Sequence, residues 1–185
     1  LMIAFIGLGN VGDQYKWTKH NAGFWVIDEF ARRKKLSFNP AKSEYVFAKH
    51  KSKQILLMKP TTGMNQSGIA VKSLIEKWDL LIPDIYILID DVDLPLGSIR
   101  IRPKGGDGCH RGLENIIYNL QSNAFPRIRL GIAGSDYKRP SEKYVMKPFN
   151  DEMSLDAKIM VNRAADAMQS IINRGLNRTM NQFNA

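Results

Sequence analysis

A chain of 185 residues with 44% hydrophobic residues is long enough to enclose one core and too short for two equal domains, so we predict a single domain over residues 1–185. The net charge of +9 favours a polyanionic partner such as nucleic acid, although solvated surface charge gives the same composition. The single cysteine, Cys109, excludes an internal disulfide framework, which indicates a cytoplasmic protein. We expect no membrane association, because residues 1–8 lack the features of a signal peptide and no stretch approaches the ~20 apolar residues of a membrane span.

Apolar periodicity divides the first part of the chain into a strand, a helix, a hairpin and a second helix. A continuous apolar run predicts a buried strand, and apolar residues three and four positions apart predict a helix. Two short apolar stretches around a polar turn predict a β-hairpin. In chain order, the predicted elements are a strand at 2–8, a helix at 22–36, a hairpin of strands 44–50 and 54–58 around Lys51, Ser52 and Lys53, and a helix at 65–78.

The second part begins with a strand at 85–89 that is apolar at every position and leads directly into Asp90, Asp91 and Asp93. The other predicted elements are a strand at 98–102, a helix at 111–120, a strand at 127–132 and a long closing helix at 151–173, with loops at 104–109 and 135–143. This alternation indicates an α/β fold, a three-layer domain with a twisted, mixed and mostly parallel sheet flanked by helices. Ligands bind such sheets beyond the carboxyl ends of the strands, where Asp90 is expected.

Residues 7–12 match the motif G-x-G-x-x-G, and Asp28 follows at roughly the distance found in dinucleotide-binding proteins. In those proteins the glycine-rich turn opens a helix whose N-terminus binds the pyrophosphate. Residues 13–21 are polar and lack helical periodicity, which disfavours a nucleotide site. We interpret the glycines as allowing the backbone to approach a ligand beside Asn10.

His20 stands immediately before the first predicted helix, in the same loop as Asn10. An imidazole is the side chain best suited to take a proton from water near neutral pH, because its unperturbed pKa is about 6.5. Such a base needs a partner that fixes its tautomer, and Asp90 is the candidate carboxylate. A histidine that only caps a helix or packs in a core would have the same local sequence.

Two other chemistries use neighbouring residues. Asp90, Asp91 and Asp93 could bind a divalent cation together with the histidines, but no ligand spacing supports this and acids after a strand often form turns. Cys109 could be a nucleophile activated by His110, but adjacent side chains usually point apart. We therefore expect no metal ion, no cofactor and no covalent nucleophile.

Five ordered stretches together resemble bacterial-type peptidyl-tRNA hydrolases. Each stretch is weak evidence alone, but their order and spacing extend along nearly the whole chain. They are residues 7–24 (GLGNVGDQYKWTKHNAGF), 59–68 (KPTTGMNQSG), 90–97 (DDVDLPLG), 105–113 (GGDGCHRGL) and 125–132 (FPRIRLGI).

The resemblance implies hydrolysis of the ester between a peptide, or an N-blocked aminoacyl group, and the 3′ ribose of tRNA, which recycles tRNA from peptidyl-tRNA released by ribosomes. It implies that His20 activates a water molecule as general base and that Asp90 orients His20. Asn10 and Asn65 are implied to hold the peptide carbonyl and main chain. Because an ester is labile, a positioned water and an amide donor suffice for this reaction without a metal ion.

The resemblance also implies substrate contacts outside the catalytic pair. Tyr15 matches a position beside the bound peptide, and His110 matches a histidine of the loop wall that binds substrate. Arg102 and Arg129 match a clamp on the tRNA 5′ phosphate, a role that suits the arginine fork. Four further basic residues are candidates by composition only and are equally consistent with solvated charge: Lys104, Lys138, Arg139 and Lys143.

Three positions depart from the family pattern. Arg111 stands at a substrate-binding position where asparagine is usual, Gly63 replaces an aromatic residue and Val11 replaces a common proline. Arg111 has five donors and no acceptor, so it cannot make the hydrogen bonds of an amide carbonyl. We expect it to strengthen phosphate binding or to slow turnover.

These departures raise an alternative, a catalytically weak or inactive family member that acts as an RNA-binding factor, as some relatives do in intron splicing. A binding factor has no need of a base together with its orienting carboxylate. The presence of both His20 and Asp90 therefore favours an enzyme. We expect a monomer whose partner is peptidyl-tRNA.

Overall fold

The computed structural model describes residues 2–50, 52 and 54–184, and the predicted turn residues Lys51 and Lys53 lie outside this part. The described strands are β1 (Ile3–Gly7), β2 (Asn39–Pro40), β3 (Tyr45–His50), β4 (Ile55–Pro60), β5 (Ile85–Pro95), β6 (Ile99–Arg102) and β7 (Arg127–Ala133). The described α-helices are α1 (Ala22–Lys34), α2 (Ser67–Trp78), α3 (Arg111–Leu120), α4 (Ser141–Val145), α5 (Ser154–Arg174) and α6 (Leu176–Phe183). Single 3-10 turns occur at Asp13–Tyr15, Lys19–Asn21, Met64–Gln66 and Ile82–Asp84.

The strands form one sheet in the order β2-β3-β4-β1-β5-β7-β6. The central strands β4, β1, β5 and β7 are parallel, whereas the strands at both edges are antiparallel to their neighbours. The predicted mixed sheet is therefore confirmed, with parallel strands at its centre. Because the central strands run in the same direction, the loops that follow β1, β4 and β5 meet at one edge of the sheet.

Helices cover both faces of the sheet, which confirms the predicted three layers. Adjacent strand residues point to opposite faces, so Phe5 packs in the same cluster as Val26 of α1 and Met160 of α5. Ile6 packs on the other side with Leu74 of α2. Burying each of these side chains contributes about 1.5–3 kcal/mol, so the two apolar clusters fix which helix lies on which face.

Strand β5 is longer than its apolar run. The predicted strand ended at residue 89, but the ladder with β7 continues through Asp91 and resumes at Pro95 after an irregularity in register. Backbone hydrogen bonds continue the ladder after the side chains become polar. Asp90 consequently lies within a strand rather than in a flexible turn, which restricts its side chain.

The C-terminal part contains two helices that the sequence did not predict. Helix α4 lies partly inside the predicted loop at 135–143, and α6 follows the helix that was predicted to close the chain. Gly175, with a φ of 81°, separates α5 from α6. Helix α6 is only eight residues long, and its fully buried side chains are Thr179 and Phe183. No helix in the described residues is both long enough and apolar enough to span a bilayer.

Two glycines allow α1 to approach β1 closely. A Cβ on Gly7 would lie 2.3 Å from the backbone oxygen of Gly23, and a Cβ on Gly23 would lie 2.6 Å from the backbone nitrogen of Leu8. Backbone atoms cannot move away as a flexible side chain can. The contact therefore requires glycine on both sides, and it places the segment before α1 at the carboxyl edge of the sheet.

We predict that Gly7→Ala lowers the free energy of unfolding by about 1–3 kcal/mol, because the added methyl group overpacks a backbone contact. Urea denaturation monitored by circular dichroism measures this change. Gly106→Ala is the matched control, since a Cβ at Gly106 would meet no atom within 4 Å. Equal denaturation midpoints for the two variants would contradict the close approach of α1 and β1.

Candidate active site

Two imidazoles meet on one buried carboxylate at the carboxyl edge of the sheet. His20 comes from the 3-10 turn before α1, Asp90 from β5, and His110 from the residue preceding α3. Nδ1 of His20 lies 2.9 Å from both carboxylate oxygens of Asp90, and Nε2 of His110 lies 3.0 Å from Oδ1. Asp90 is only 4% exposed, so water does not compete strongly for these hydrogen bonds.

The hydrogen bonds of His110 assign its tautomer. His110 is the N-cap of α3, and its Nδ1 accepts from the backbone N–H of Leu113 at 3.3 Å. A ring nitrogen that accepts carries no proton, so Nε2 carries it and donates to Asp90. The family resemblance implied only substrate binding for this residue, whereas the structure places it directly on Asp90.

The same network leaves one nitrogen of His20 available. If Nδ1 donates its proton to Asp90, Nε2 keeps a lone pair that can accept a proton. Among the described residues, Nε2 of His20 has no hydrogen-bond partner. A histidine in this state can act as a general base, and its carboxylate partner would stabilise the imidazolium that forms.

Opposing effects set the pKa values of the pair. Burial lowers the pKa of His20, but the charge of Asp90 and the hydrogen bond to it outweigh burial and raise the pKa above the ordinary value of 6.5. Burial raises the pKa of Asp90, but the attraction of His20 and His110 and their hydrogen bonds hold it well below the ordinary value of 3.8. Asp90 therefore stays ionised, and His20 becomes neutral only above its raised pKa.

The donor set fits a hydrogen-bonded triad better than a metal centre. Candidate ligand atoms of His20, Asp90 and His110 lie within 4.8 Å of one another. A metal ion on Nε2 of His110 would require the proton on Nδ1, which would break the cap of α3. Asp91, which the sequence offered as a further ligand, forms an ion pair with Arg129 instead.

The loop after β1 holds an amide group beside this pair. Asn21 fixes the backbone of Asn10, since its Oδ1 accepts from Asn10 N at 2.8 Å and its Nδ2 donates to Asn10 O at 2.9 Å. Oδ1 of Asn10 accepts from the backbone N–H of Met64 at 2.8 Å. With Oδ1 thus oriented, Nδ2 of Asn10 has no acceptor in the described part of the chain and can donate to a ligand.

The other candidate peptide contacts lie on the surrounding loops. Asn65 follows Met64 in a 3-10 turn and is exposed, and Tyr15 ends the turn Asp13–Tyr15 and is half-buried. At Gly63 an added Cβ would lie 3.4 Å from Oδ1 of Asn65, which is van der Waals contact, so Gly63 is next to this candidate residue. Their substrate contacts remain predictions.

The candidate phosphate-binding arginines lie on one face of the β6–β7 pair. Arg102 is opposite Arg127 and Arg100 is opposite Arg129, and residues that face each other across strands share a side of the sheet. Arg129 forms an ion pair with Asp91. Arg102 is exposed and has no ionic partner among the described residues. Of the two proposed clamp residues, Arg102 is therefore available to a ligand, whereas Arg129 is already paired with a carboxylate.

Sequence reasoning missed Arg127, which fixes the loop that leads to His110. Arg127 is 2% exposed, and its Nη1 donates to the backbone oxygens of Gly105 and Gly106 at 2.7 and 2.8 Å. Burial, together with the charge of Arg129, lowers the pKa of Arg127 to about 10. The alternation of arginine and apolar residues in β7 shows that both arginines share a face, but it cannot show which one is buried.

Arg111 is the first residue of α3 and is exposed beside the capping His110. Within the described ranges its side chain has no hydrogen-bond or ionic partner, so its charge is available to a ligand. The four basic residues proposed by composition are all exposed: Lys104, Lys138, Arg139 and Lys143.

A cleft of about 1240 Å³ lies beside the triad and does not include it. It begins at Asn10 and is lined by aromatic side chains that include Phe24, Trp25 and Phe149. Charges in the cleft are partly neutralised, as in the pair of Lys59 Nζ and Asp28 Oδ1 at 2.5 Å. The cleft suits an uncharged or apolar ligand better than a phosphate.

A general base, a carboxylate that orients it and a free amide donor form the set of groups typical of enzymes that hydrolyse acyl compounds with water. The family model described as peptidyl-tRNA hydrolase matches residues 4–185, and the chain belongs to this family.

Individual relatives agree with the family match. The peptidyl-tRNA hydrolase of Geobacillus thermodenitrificans is 42% identical over 185 residues, covering 99% of this chain and 100% of the relative. That of Thermodesulfovibrio yellowstonii is 41% identical over 186 residues, covering 99% of each chain. The crystal structure of peptidyl-tRNA hydrolase from Acinetobacter baumannii superposes with a TM-score of 0.92 at 27% identity, covering 100% of this chain and 95% of that chain.

We predict that Asp90→Asn lowers the pKa of His20 from its raised value to below 6.5, because the variant loses the negative charge while the burial that lowers the pKa remains. An NMR titration of the imidazole resonances measures both values. His50, in β3 and outside the site, is the internal control, because its ring does not contact Asp90. A His20 titration that does not change in Asp90→Asn would contradict the coupling.

We also predict that the ¹⁵N shifts of His110 show a protonated Nε2 and an unprotonated Nδ1 near neutral pH, because the N–H of Leu113 requires an acceptor at Nδ1. In Asp90→Asn this tautomer should persist, since the cap of α3 is unchanged. The opposite tautomer in the unmodified protein would contradict the assignment.

Proposed function

We propose that this protein hydrolyses the ester between a peptide and the 3′ ribose of tRNA, with His20 as general base. The contact that carries the proposal is that of His20 Nδ1 with both oxygens of Asp90, at 2.9 Å each. Membership of the peptidyl-tRNA hydrolase family supports the substrate class. Among the described residues, Nε2 of His20 has no hydrogen-bond partner and Nδ2 of Asn10 has no acceptor, and both observations support the reaction type.

The reaction begins when Nε2 of His20 takes a proton from a water molecule and the oxygen of that water attacks the ester carbonyl carbon. Negative charge then develops on the former carbonyl oxygen, where the N–H groups of Asn10 Nδ2 can donate. Asp90 stabilises the imidazolium. Collapse of the tetrahedral intermediate breaks the bond to the ribose oxygen, which receives the proton from His20 and becomes the tRNA hydroxyl group. The peptide carboxylic acid formed at the same time releases its remaining proton to water and becomes a carboxylate.

The peptide and the RNA occupy regions of different chemistry. The aromatic cleft that begins at Asn10 suits the peptide, because its lining is apolar and its charges are partly paired. Arg102 and Arg111 are exposed cations without described partners, which suits phosphate. Arg129 contributes to the same phosphate-binding region, because its pair with Asp91 fixes its guanidinium on the same face as Arg102. Tyr15, Asn65 and His110 complete the substrate contacts.

The triad is assembled from one chain, and we propose that the protein acts as a monomeric single domain in the cytoplasm, where peptidyl-tRNA is produced. The single cysteine agrees with a reducing compartment. The net charge of +9 favours association with RNA.

We predict that the purified protein releases the acyl group from N-acetylaminoacyl-tRNA and leaves unblocked aminoacyl-tRNA intact. His20→Ala should lose at least about 10²-fold in kcat, because no other described group replaces the base. His50→Ala is the matched control and should retain full activity.

Equal cleavage of the blocked and unblocked substrates would contradict the assigned specificity. Full activity of His20→Ala would remove its role. An RNA-binding factor without catalytic activity would bind the tRNA and release no acyl group from either substrate.

We predict that Arg102→Gln raises KM and leaves kcat nearly unchanged, because a phosphate contact contributes to binding and not to the ester chemistry. The slope of log affinity against log salt concentration should fall by about 1. Arg174→Gln, at the exposed end of α5, is the matched control with unchanged KM. A substrate without a 5′ phosphate should show no further loss in Arg102→Gln, and a loss of equal size on both substrates would refute a 5′-phosphate contact.

A further inference from the structure

Lys19 is a buried lysine directly beside the proposed base. It is 1% exposed and is among the largest fully buried side chains of the described residues. Its Nζ donates to the backbone oxygen of Pro148 at 2.9 Å and lies 4.1 Å from the ring centroid of Tyr144 and 5.1 Å from that of Phe149. A basic residue in this loop would be expected to contact phosphate, but this ammonium group is inaccessible to RNA.

The aromatic cage compensates a charge that is costly to bury. Cations are attracted to the faces of aromatic rings, most strongly where water is absent. Burial lowers the pKa of Lys19, Asp136 raises it and Lys147 lowers it again. The backbone N–H of Lys19 also donates to the backbone oxygen of Lys147 at 3.0 Å. Both ends of Lys19 are therefore held by residues 144–149.

Lys19, His20 and Asn21 form one 3-10 turn, and each contacts a different part of the site. A 3-10 helix has three residues per turn, so consecutive side chains point about 120° apart. Lys19 reaches residues 144–149, His20 reaches Asp90 in β5, and Asn21 reaches the backbone of Asn10. The orientation of the His20 ring therefore depends on contacts in three directions.

We infer that Lys19 is a positioning residue for the general base, whose caged ammonium group fixes the turn so that His20 meets Asp90 with Nε2 directed to the substrate. This inference rests on the proposed hydrolysis. Without the ammonium group, the turn keeps its contacts with Asp90 and Asn10 and the backbone hydrogen bond to Lys147, but it loses the side-chain contact with Pro148 and the rings. Rotation of the turn then weakens the His20–Asp90 contact and misdirects Nε2.

Lys19→Met tests the inference, because methionine preserves length and contacts with the rings but lacks the charge and the donor. With N-acetylaminoacyl-tRNA as substrate, kcat should fall about 10- to 100-fold, as expected for a misplaced catalytic group, while KM stays unchanged. The acidic limb of the pH–rate profile should move to lower pH, because a weaker contact with Asp90 raises the pKa of His20 less. Lys19→Arg should recover most of the loss, since arginine retains a cation that stacks on rings and donates to carbonyls.

Lys72→Met is the matched control, since Lys72 is exposed on α2 and has no described partner. An unchanged kcat and pH profile in Lys19→Met would overturn the inference, and so would a raised KM with unchanged kcat, which indicates a substrate contact. If circular dichroism shows Lys19→Met to be unfolded, Lys19→Gln carries the same expectations. Inactivity of the unmodified protein would instead refute the proposed function.

Discussion

The site depends on one buried negative charge. An isolated carboxylate at the position of Asp90 would be protonated, because burial penalises the ionised form. Two imidazole N–H groups prevent this, one from the turn before α1 and one from the N-cap of α3. The charge of Asp90 in turn fixes the tautomer of His20 and raises its pKa. Removing Asp90 would change the protonation of His20, and removing either imidazole would weaken the stabilisation of the charge on Asp90.

The fold brings these groups together through close backbone contacts. Because β4, β1 and β5 are parallel, the carboxyl end of β5 lies at the same edge of the sheet as the loops that follow β1 and β4. The contact of Gly7 with Gly23 brings α1, and with it the turn of His20, down onto β1. Arg127 has the corresponding role for His110, because it is buried beneath the loop at 105–106 and binds its carbonyl groups. The most constrained residues are thus found behind the site rather than in it.

The lysine and arginine side chains of this protein differ in role according to their burial and ion pairing. Lys19 and Arg127 are buried and hold the loops of the site, and Arg129 is neutralised by Asp91. Arg102 and Arg111 remain exposed without described partners and are the cations best placed to meet phosphate. Net charge indicates nucleic acid as a partner, but burial and pairing determine which cations reach it.

The sequence by itself determined the α/β fold with a mixed sheet and pointed to His20 and Asp90 as the candidate base and its carboxylate, because apolar periodicity and local motifs report on neighbouring residues. It missed α6, which is only eight residues long, and it ended β5 too early, because backbone pairing continues where side chains turn polar. Only the tertiary structure decided that His110 both caps α3 and binds Asp90, that Arg127 is buried whereas Arg102 is exposed, and that Lys19 is caged. Tautomer, burial and ion pairing depend on contacts between residues far apart in the chain, and no local pattern records them.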